Sequence, residues 1–196
     1  GLNAKDWTLE SSDEQGPGQQ TKKVKSEAAN AKNLDQAGDV KIVIDGGTLT
    51  VDAEGDGLDA NGSIEINGGT VVVNGPTSGA NAALDYDDNA KLNGGTVLFV
   101  DNGQMTMGFG SDSSQAFLMA SVQGTAGTTV EVVDSSGKTV ASLKAFKSFS
   151  TVLISSPDIK DGEKYTIKVG SNSTTATASK QAANIGGGPG GGQPGQ

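Results

Sequence analysis

The side chains best suited to chemistry in this chain are acids. Asp45, Asp52, Glu54, Asp56 and Asp59 fall within residues 45–61, and Asp85, Asp87 and Asp88 form a second group, followed by Asn89. Both groups lie between strand-like runs. Leu58-Asp59 and Leu84-Asp85 are 26 residues apart. If that offset is structural, Asp59 lies under Asp85 and Asn61 under Asp87. Neighbouring strands are about 4.8 Å apart, and two carboxylates at that spacing repel by about 3.5 kcal/mol at an effective dielectric near 20. One remedy is a hard cation held by carboxylate and backbone oxygens, calcium being the usual choice. The predicted oxygen ligands are Asp56, Asp59, Asn61, Asp85, Asp87 and Asp88. The other remedy is turn chemistry, in which the carboxylates accept from turn amides and spread into solvent. The pattern is neither a nonapeptide calcium repeat nor an EF-hand loop, so both remedies stay open.

Other chemistry is weakly supported. The chain has no cysteine, no histidine and no arginine, which excludes His/Cys zinc sites, thiol catalysis and a Ser-His-Asp triad within it. Asp85, Asp87 or Asp88 could supply the paired carboxylates of glycoside hydrolysis, but an acidic chain makes such pairs by composition. A lyase acting on uronates needs a cationic base, for which Lys41 and Lys91 are the candidates; both alternate with apolar neighbours, as solvated strand residues do. No catalytic residue is assigned. Tyr86 and Trp7 are the aromatics expected to be exposed and able to stack on a sugar ring, although each also suits ordinary packing. Tyr86 and Lys91 are taken as the carbohydrate-binding candidates. The net charge of −9 lacks the basic footprint of a nucleic-acid or anionic-membrane partner. No run of about 18 apolar residues exists, so no membrane-spanning helix is expected.

The elements that must position these residues repeat. Ile44-Asp45-Gly46-Gly47-Thr48-Leu49, Ile66-Asn67-Gly68-Gly69-Thr70-Val71 and Leu92-Asn93-Gly94-Gly95-Thr96-Val97 are one phrase at steps of 22 and 26 residues, and Leu34-Asp35, Leu58-Asp59 and Leu84-Asp85 keep pace with it. Such a period marks a repeat architecture. From 39 to 100 short alternating runs such as Val40-Ile42-Ile44, Ile64-Ile66 and Val71-Val73 are bounded by Gly, Asn and Asp, the signature of strands. No segment between them suits a crossover helix. The economical solution is an all-β parallel β-helix of few coils, each coil holding about three short strands and the inward Val, Ile and Leu forming a column. The Gly-Gly pairs are expected at corners where a side chain would clash or φ is positive.

Residues 1–119 are assigned to these coils. Gly1-Leu2-Asn3-Ala4 parallels Gly57-Leu58-Asp59-Ala60, so the chain is expected to begin inside a repeat, as a fragment or processed form. Residues 11–33 are expected to be an inserted surface loop, and residues 101–119, with Met105, Met107, Phe109, Phe117, Leu118 and Met119, to cap the column. Residues 120–170 are expected to form a small antiparallel unit. Its hairpin pairs Thr128–Val133 with Thr139–Leu143, and Phe149–Ile154 and Tyr165–Val169 add two strands. Residues 171–196, rich in Ser, Thr and Gly, are expected to be a flexible tail.

The order of phrases closely resembles a known family. Gly1-Leu2-Asn3-Ala4, a variable loop, Ile44-Asp45-Gly46-Gly47-Thr48-Leu49-Thr50-Val51, Gly55-Asp56-Gly57-Leu58-Asp59-Ala60-Asn61-Gly62-Ser63, Gly68 to Thr77, Ala83-Leu84-Asp85-Tyr86-Asp87 and finally Ser155-Ser156-Pro157-Asp158 with Gly162-Glu163-Lys164-Tyr165-Thr166 follow one another over roughly residues 1–170. The series resembles the C-terminal part of bacterial carbohydrate-binding domain-containing proteins with a pectate-lyase-like right-handed β-helix, the clostridial polygalacturonate-binding type. The resemblance implies a secreted or surface-anchored, calcium-loaded, non-catalytic protein that binds acidic plant polysaccharide. The expectations are therefore an extracellular or cell-surface location, Ca2+ as the bound ion and an acidic polysaccharide as the partner. A structural protein associating end to end through its exposed first coil is the alternative, and a polysaccharide lyase the second alternative.

Overall fold

A computed structural model describes residues 2–4, 7–9 and 40–181. The expected loop at 11–33, the Leu34-Asp35 phrase and the tail beyond 181 lie outside the described residues. All the described secondary structure is β, and no helix occurs among these residues.

The strands that carry the repeated phrases recur in three parallel ladders. β1 (Leu2–Ala4), β5 (Leu58–Ala60) and β8 (Leu84–Tyr86) form one. β2 (Trp7–Leu9), β3 (Lys41–Ile44), β6 (Ser63–Ile66) and β9 (Asn89–Leu92) form the second. β4 (Thr48–Asp52), β7 (Thr70–Asn74) and β10 (Thr96–Asp101) form the third. From β3 to β7 each strand pairs with the strand three places later. The register is the sequence period itself: Thr48 faces Thr70, and Thr70 faces Thr96. The corner glycines meet both expectations. Gly47, Gly69 and Gly95 have φ of +77°, +86° and +94°, the left-handed region that a side chain resists. A Cβ on Gly68 or Gly94 would come 2.8 Å from the Asp45 oxygen or 2.5 Å from the Asn67 oxygen of the neighbouring corner.

The third ladder does not stop at its parallel strands. β14 (Phe149–Ser155) pairs antiparallel with β10, and β11 (Leu118–Gly124) pairs antiparallel with β14, giving a mixed sheet in the order β11-β14-β10-β7-β4. The four sheets remain separate, and the parallel ladders are short. An antiparallel unit standing apart after residue 119 was expected. β14 instead joins the two regions, because the free edge of β10 would otherwise offer a row of unpaired backbone groups. The remaining strands are β12 (Thr129–Val133), β13 (Thr139–Lys144), β15 (Lys164–Val169) and β16 (Asn172–Thr177), an antiparallel sheet in the order β13-β12-β15-β16. The β12–β13 hairpin matches the expected one. β16 corrects the expected tail: residues 172–177 pair along their whole length with β15, Ala178 is buried, and Ser179 bridges to Phe117.

This topology explains why β7 and β10 read as unbroken apolar runs. Val71, Val73, Val97 and Phe99 face one core with Ile64, Leu84 and Leu92. Val72, Leu98 and Val100 face a second core with Val130, Ile154 and Ile167. A strand between two cores loses the alternation of a half-exposed one. Phe109 packs in the first core, its ring edge-on to Phe99 at 5.8 Å and to Phe117 at 5.6 Å.

Candidate functional site

The first acid group is built by β5 and β8. Leu58, Ala60 and Leu84 are buried, so the alternation of a strand turns Asp59 and Asp85 to the other face. The two are in register on adjacent strands, and Asn3 of β1 continues the row on the backbone. Asp56 enters from the preceding turn and accepts the Ala82 amide at 2.8 Å. Burial pushes the Asp85 carboxyl above the usual carboxylate range, with the charges of Asp56, Asp59 and Asp87 adding to it and the Tyr86 amide opposing. Asp87 and Asp88 are exposed, and their amides extend the ladder by donating to the Ala60 and Gly62 oxygens at 3.1 and 3.0 Å. Asn61 is exposed as well.

Calcium takes six to eight oxygens. Among the described residues no group of three or more acids is gathered in a way that could hold a metal ion. Of the six predicted ligands, Asp59 and Asp85 stand side by side with Asp56 near enough to raise Asp85. Two carboxylates in register with a third nearby fall short of the oxygens that a closed calcium cage needs.

Tyr86 differs from the exposed platform expected of it. Its hydroxyl donates to the Gly108 oxygen at 2.7 Å, its ring packs on the first core, and it is half-buried. Burial, then the Asp85 charge, raises its pKa. It anchors the cap segment to β8. Trp7 sits on β2, and its side chain lies outside the described residues.

Lys91 belongs to a different surface, the outer face of β3, β6 and β9. Ile42, Ile44, Ile64, Ile66, Ala90 and Leu92 are buried, leaving the alternate residues outside in two registered rows. One row is Lys41, Ser63 and Asn89, and the other is Val43, Glu65 and Lys91. Lys41 is paired with Glu65, and Lys91 with Asp112 at 2.6 Å. Asn89 Nδ2 also donates to Asp112, at 3.0 Å. The Lys41 contact holds the Glu65 carboxyl below its ordinary pKa. Lys91 likewise lowers Asp112 and is itself raised by it. Between these pairs runs a shallow groove of about 160 Å³ lined by Lys41, Ser63, Glu65, Asn89 and Lys91. One turn further along, Asn67 Nδ2 donates to Asp45 at 2.7 Å and Asn93 Nδ2 to Asn67 at 2.8 Å, a ladder of polar side chains at the residue before each Gly-Gly pair.

The groove therefore offers alternating cations, carboxylates and amides at strand spacing, which suits hydrogen bonding to a repeating polyhydroxylated chain. It is poor ground for acid–base hydrolysis, because that chemistry wants one carboxyl held protonated and both Glu65 and Asp112 are held ionised. Lys91 was singled out from sequence as a binding candidate. Glu65, Asn89 and Asp112 were not, although the 22- and 26-residue steps already align Glu65 with Lys91 and Ser63 with Asn89.

A family model described as "Carbohydrate-binding domain-containing protein" matches residues 15–190. No curated protein and no solved structure matches the chain.

Proposed function

The chain belongs to the family of carbohydrate-binding domain-containing proteins, and on that premise we propose that it is a non-catalytic module holding a polysaccharide across the outer face of β3, β6 and β9. The observation that carries this reading is the groove with Lys41 and Lys91 on registered strands. Its polar groups recur at strand spacing, as the polar groups of a polymer recur along its length. The two lysines favour an acidic polymer of the polygalacturonate kind, binding by charge-assisted hydrogen bonds. Glu65 and Asp112 keep the face from becoming uniformly positive, so affinity is expected to come from many modest contacts. The polymer's extracellular setting makes the cell surface or its surroundings the proposed location.

The proposal includes the right-handed parallel β-helix for β1 to β10. Its support is the recurrence of pairing every third strand from β3 onward, with like residues in register. It also includes a calcium ion at Asp59 and Asp85, supported by the raised Asp85 and the neighbouring charge of Asp56. These two carboxylates supply a minority of the oxygens, and water or a uronate would supply the rest.

Calorimetry with polygalacturonate, with and without calcium, tests the reading. Binding is expected, weakened several-fold by Lys91→Ala. No binding under either condition would sink it. A second reading, glycoside hydrolysis, is favoured by one observation, the raised Asp85 beside Asp59. Release of reducing ends from polysaccharide, abolished by Asp85→Asn, would establish it in place of the first.

A further inference from the structure

Away from the three ladders, a second surface has the chemistry of a ligand site. A cleft of about 390 Å³ opens where the end of the mixed sheet meets the antiparallel sheet. That volume falls in the range of small-ligand sites, about 300–1,000 Å³. Its lining includes Gln123, Thr125, Thr128, Ser148, Ser150, Ser171 and Asn172. No residue that lines it is charged. Among the described residues no side-chain hydrogen bond engages Ser148, Ser150, Ser171 or the Gln123 side-chain amide, whereas Asn172 Nδ2 donates to the Gln123 backbone carbonyl at 2.8 Å.

The sequence builds this cleft at an irregularity. β11 and β14 lose register between Ser121 and Gly124, and Gly124 comes opposite Phe149. Any Cβ on Gly124 would collide with the Phe149 ring, and would stand 2.8 Å from Val169 Cγ1. Glycine there leaves room for the Phe149 ring, which with Val169 gives the lining its apolar part. Two residues before Ser148, which lines the cleft, comes Phe146, 53 % exposed and the one large apolar side chain so exposed among the described residues. Its backbone is held by hydrogen bonds. Ala145, the residue before it, donates to the Thr128 oxygen at 3.0 Å and accepts from Gly127 at 2.9 Å, which ties it to the turn bearing Thr125 and Thr128. The Phe146 amide itself donates to the buried Asn74 side chain at 2.7 Å. Lys144 Nζ lies 6.0 Å from the ring centroid.

Hydroxyls and amides lining a cleft with the apolar Phe149 and Val169, and an exposed aromatic ring two residues along the chain from that lining, match one ligand class closely. Sugars present C–H faces to a ring and hydroxyls to groups that both donate and accept. The lining itself carries no charge, the Lys144 ammonium by the Phe146 ring standing outside it, and this selects within that class. A uronate carboxylate entering here would lose water with no cation among the lining residues to receive it. We propose that this cleft, together with Phe146, is a subsite for a neutral oligosaccharide, separate from the groove on β3, β6 and β9. The proposal rests on the carbohydrate-binding reading but not on that groove.

Titration calorimetry of the full chain with cellohexaose, xylohexaose and mannohexaose tests it. At least one is expected to bind, with a tenfold or greater loss in Phe146→Ala and in the pair Ser148→Val/Ser150→Val, and no change in Lys91→Ala. Phe146 is exposed, so its alanine variant should keep the wild-type melting curve, and that curve is recorded alongside. Amide chemical shifts on adding the bound hexaose should move at 123–128, 146–150 and 169–172. If none of the three sugars binds, or if binding survives Phe146→Ala and falls in Lys91→Ala, the proposal is overturned. Hexaose binding that depends on Phe146 while polygalacturonate fails to bind would uphold this subsite and refute the groove.

Discussion

Gly69→Ala and Gly47→Ala make a matched pair of perturbations. Both residues are the second glycine of the repeated phrase, and both have positive φ, +86° and +77°. Alanine in the left-handed region costs about 1–2 kcal/mol, offset by about 0.4–1 kcal/mol from restricting the unfolded chain. These effects are common to the two sites and cancel in the comparison. What differs is the neighbour. A Cβ at Gly47 meets nothing within 4 Å, whereas at Gly69 it would stand 2.5 Å from the Gly47 oxygen and 2.7 Å from the Gly46 carbonyl carbon. Those are backbone atoms of the stacked corner, which cannot swing aside as a side chain can. Overpacking of this kind costs about 1–3 kcal/mol. Gly69→Ala should therefore be less stable than Gly47→Ala by about 1–3 kcal/mol, or about 2–12 °C in melting temperature for a chain of this size. Gly95→Ala, with its nearest backbone contacts at 2.8 and 2.9 Å, should fall between them or close to Gly69→Ala. Urea denaturation followed by both circular dichroism and Trp7 fluorescence gives the differences and checks that the two probes agree. Equal destabilisation at Gly47 and Gly69 would refute the stacking argument, since only the shared φ cost would then be at work.

Three further outcomes follow from the site and the core. Asp85 has a pKa raised above its ordinary 3.8, so its contribution to stability is full below that value and lost as pH rises through the folded pKa. Asp85→Asn should thus raise the melting temperature at pH 7 in chelator, with the gain vanishing by about pH 4; calcium should narrow the gain if the ion sits at Asp59 and Asp85, and a gain constant across pH would refute the assignment. Lys147 reaches from the loop after β13 to Asp52 at 2.8 Å, Glu54 at 2.7 Å and the Ala53 oxygen at 2.7 Å, and its side chain is only 14 % exposed. Burial works against its charge, but the two carboxylates prevail and hold its pKa up. Lys147→Met should cost about 1–2 kcal/mol after allowing for the exposure of both acids, with a smaller loss at high salt; urea melts at two salt concentrations check it. Phe109→Ala removes a fully buried ring that touches two others and should cost about 3–5 kcal/mol, measured by the same denaturation.

How far the residues announced this arrangement depends on where periodicity holds. The Gly-Gly-Thr phrase gave the register of β4, β7 and β10 directly, because a positive-φ corner recurs wherever like corners stack. The same steps placed Asp59 beside Asp85. The partner of β14 escaped because Phe149–Ser155 reads as a buried strand that could pair with any other; only the open edge of β10, some fifty residues earlier, decides it. β16 escaped because Asn172–Thr177 is polar enough to pass for linker, yet an edge strand needs only backbone pairing with β15 and one shallow apolar contact from Ala176. Asp112 had no pattern at all. It reaches Lys91 and Asn89 once Phe109 and Phe117 pin its segment to the first core. The groove and the cleft share this history. Regular strands supply the rows Lys41/Ser63/Asn89 and Val43/Glu65/Lys91, while residues that break the period, Asp112 at one surface and Gly124 and Phe146 at the other, supply the shape that makes each distinct. A repeat alone presents the same face to every ligand. Discrimination between an acidic and a neutral sugar must come from the interruptions, and the charged Lys91–Asp112 pair and the uncharged lining around Phe149 are the two interruptions that differ in the right sense.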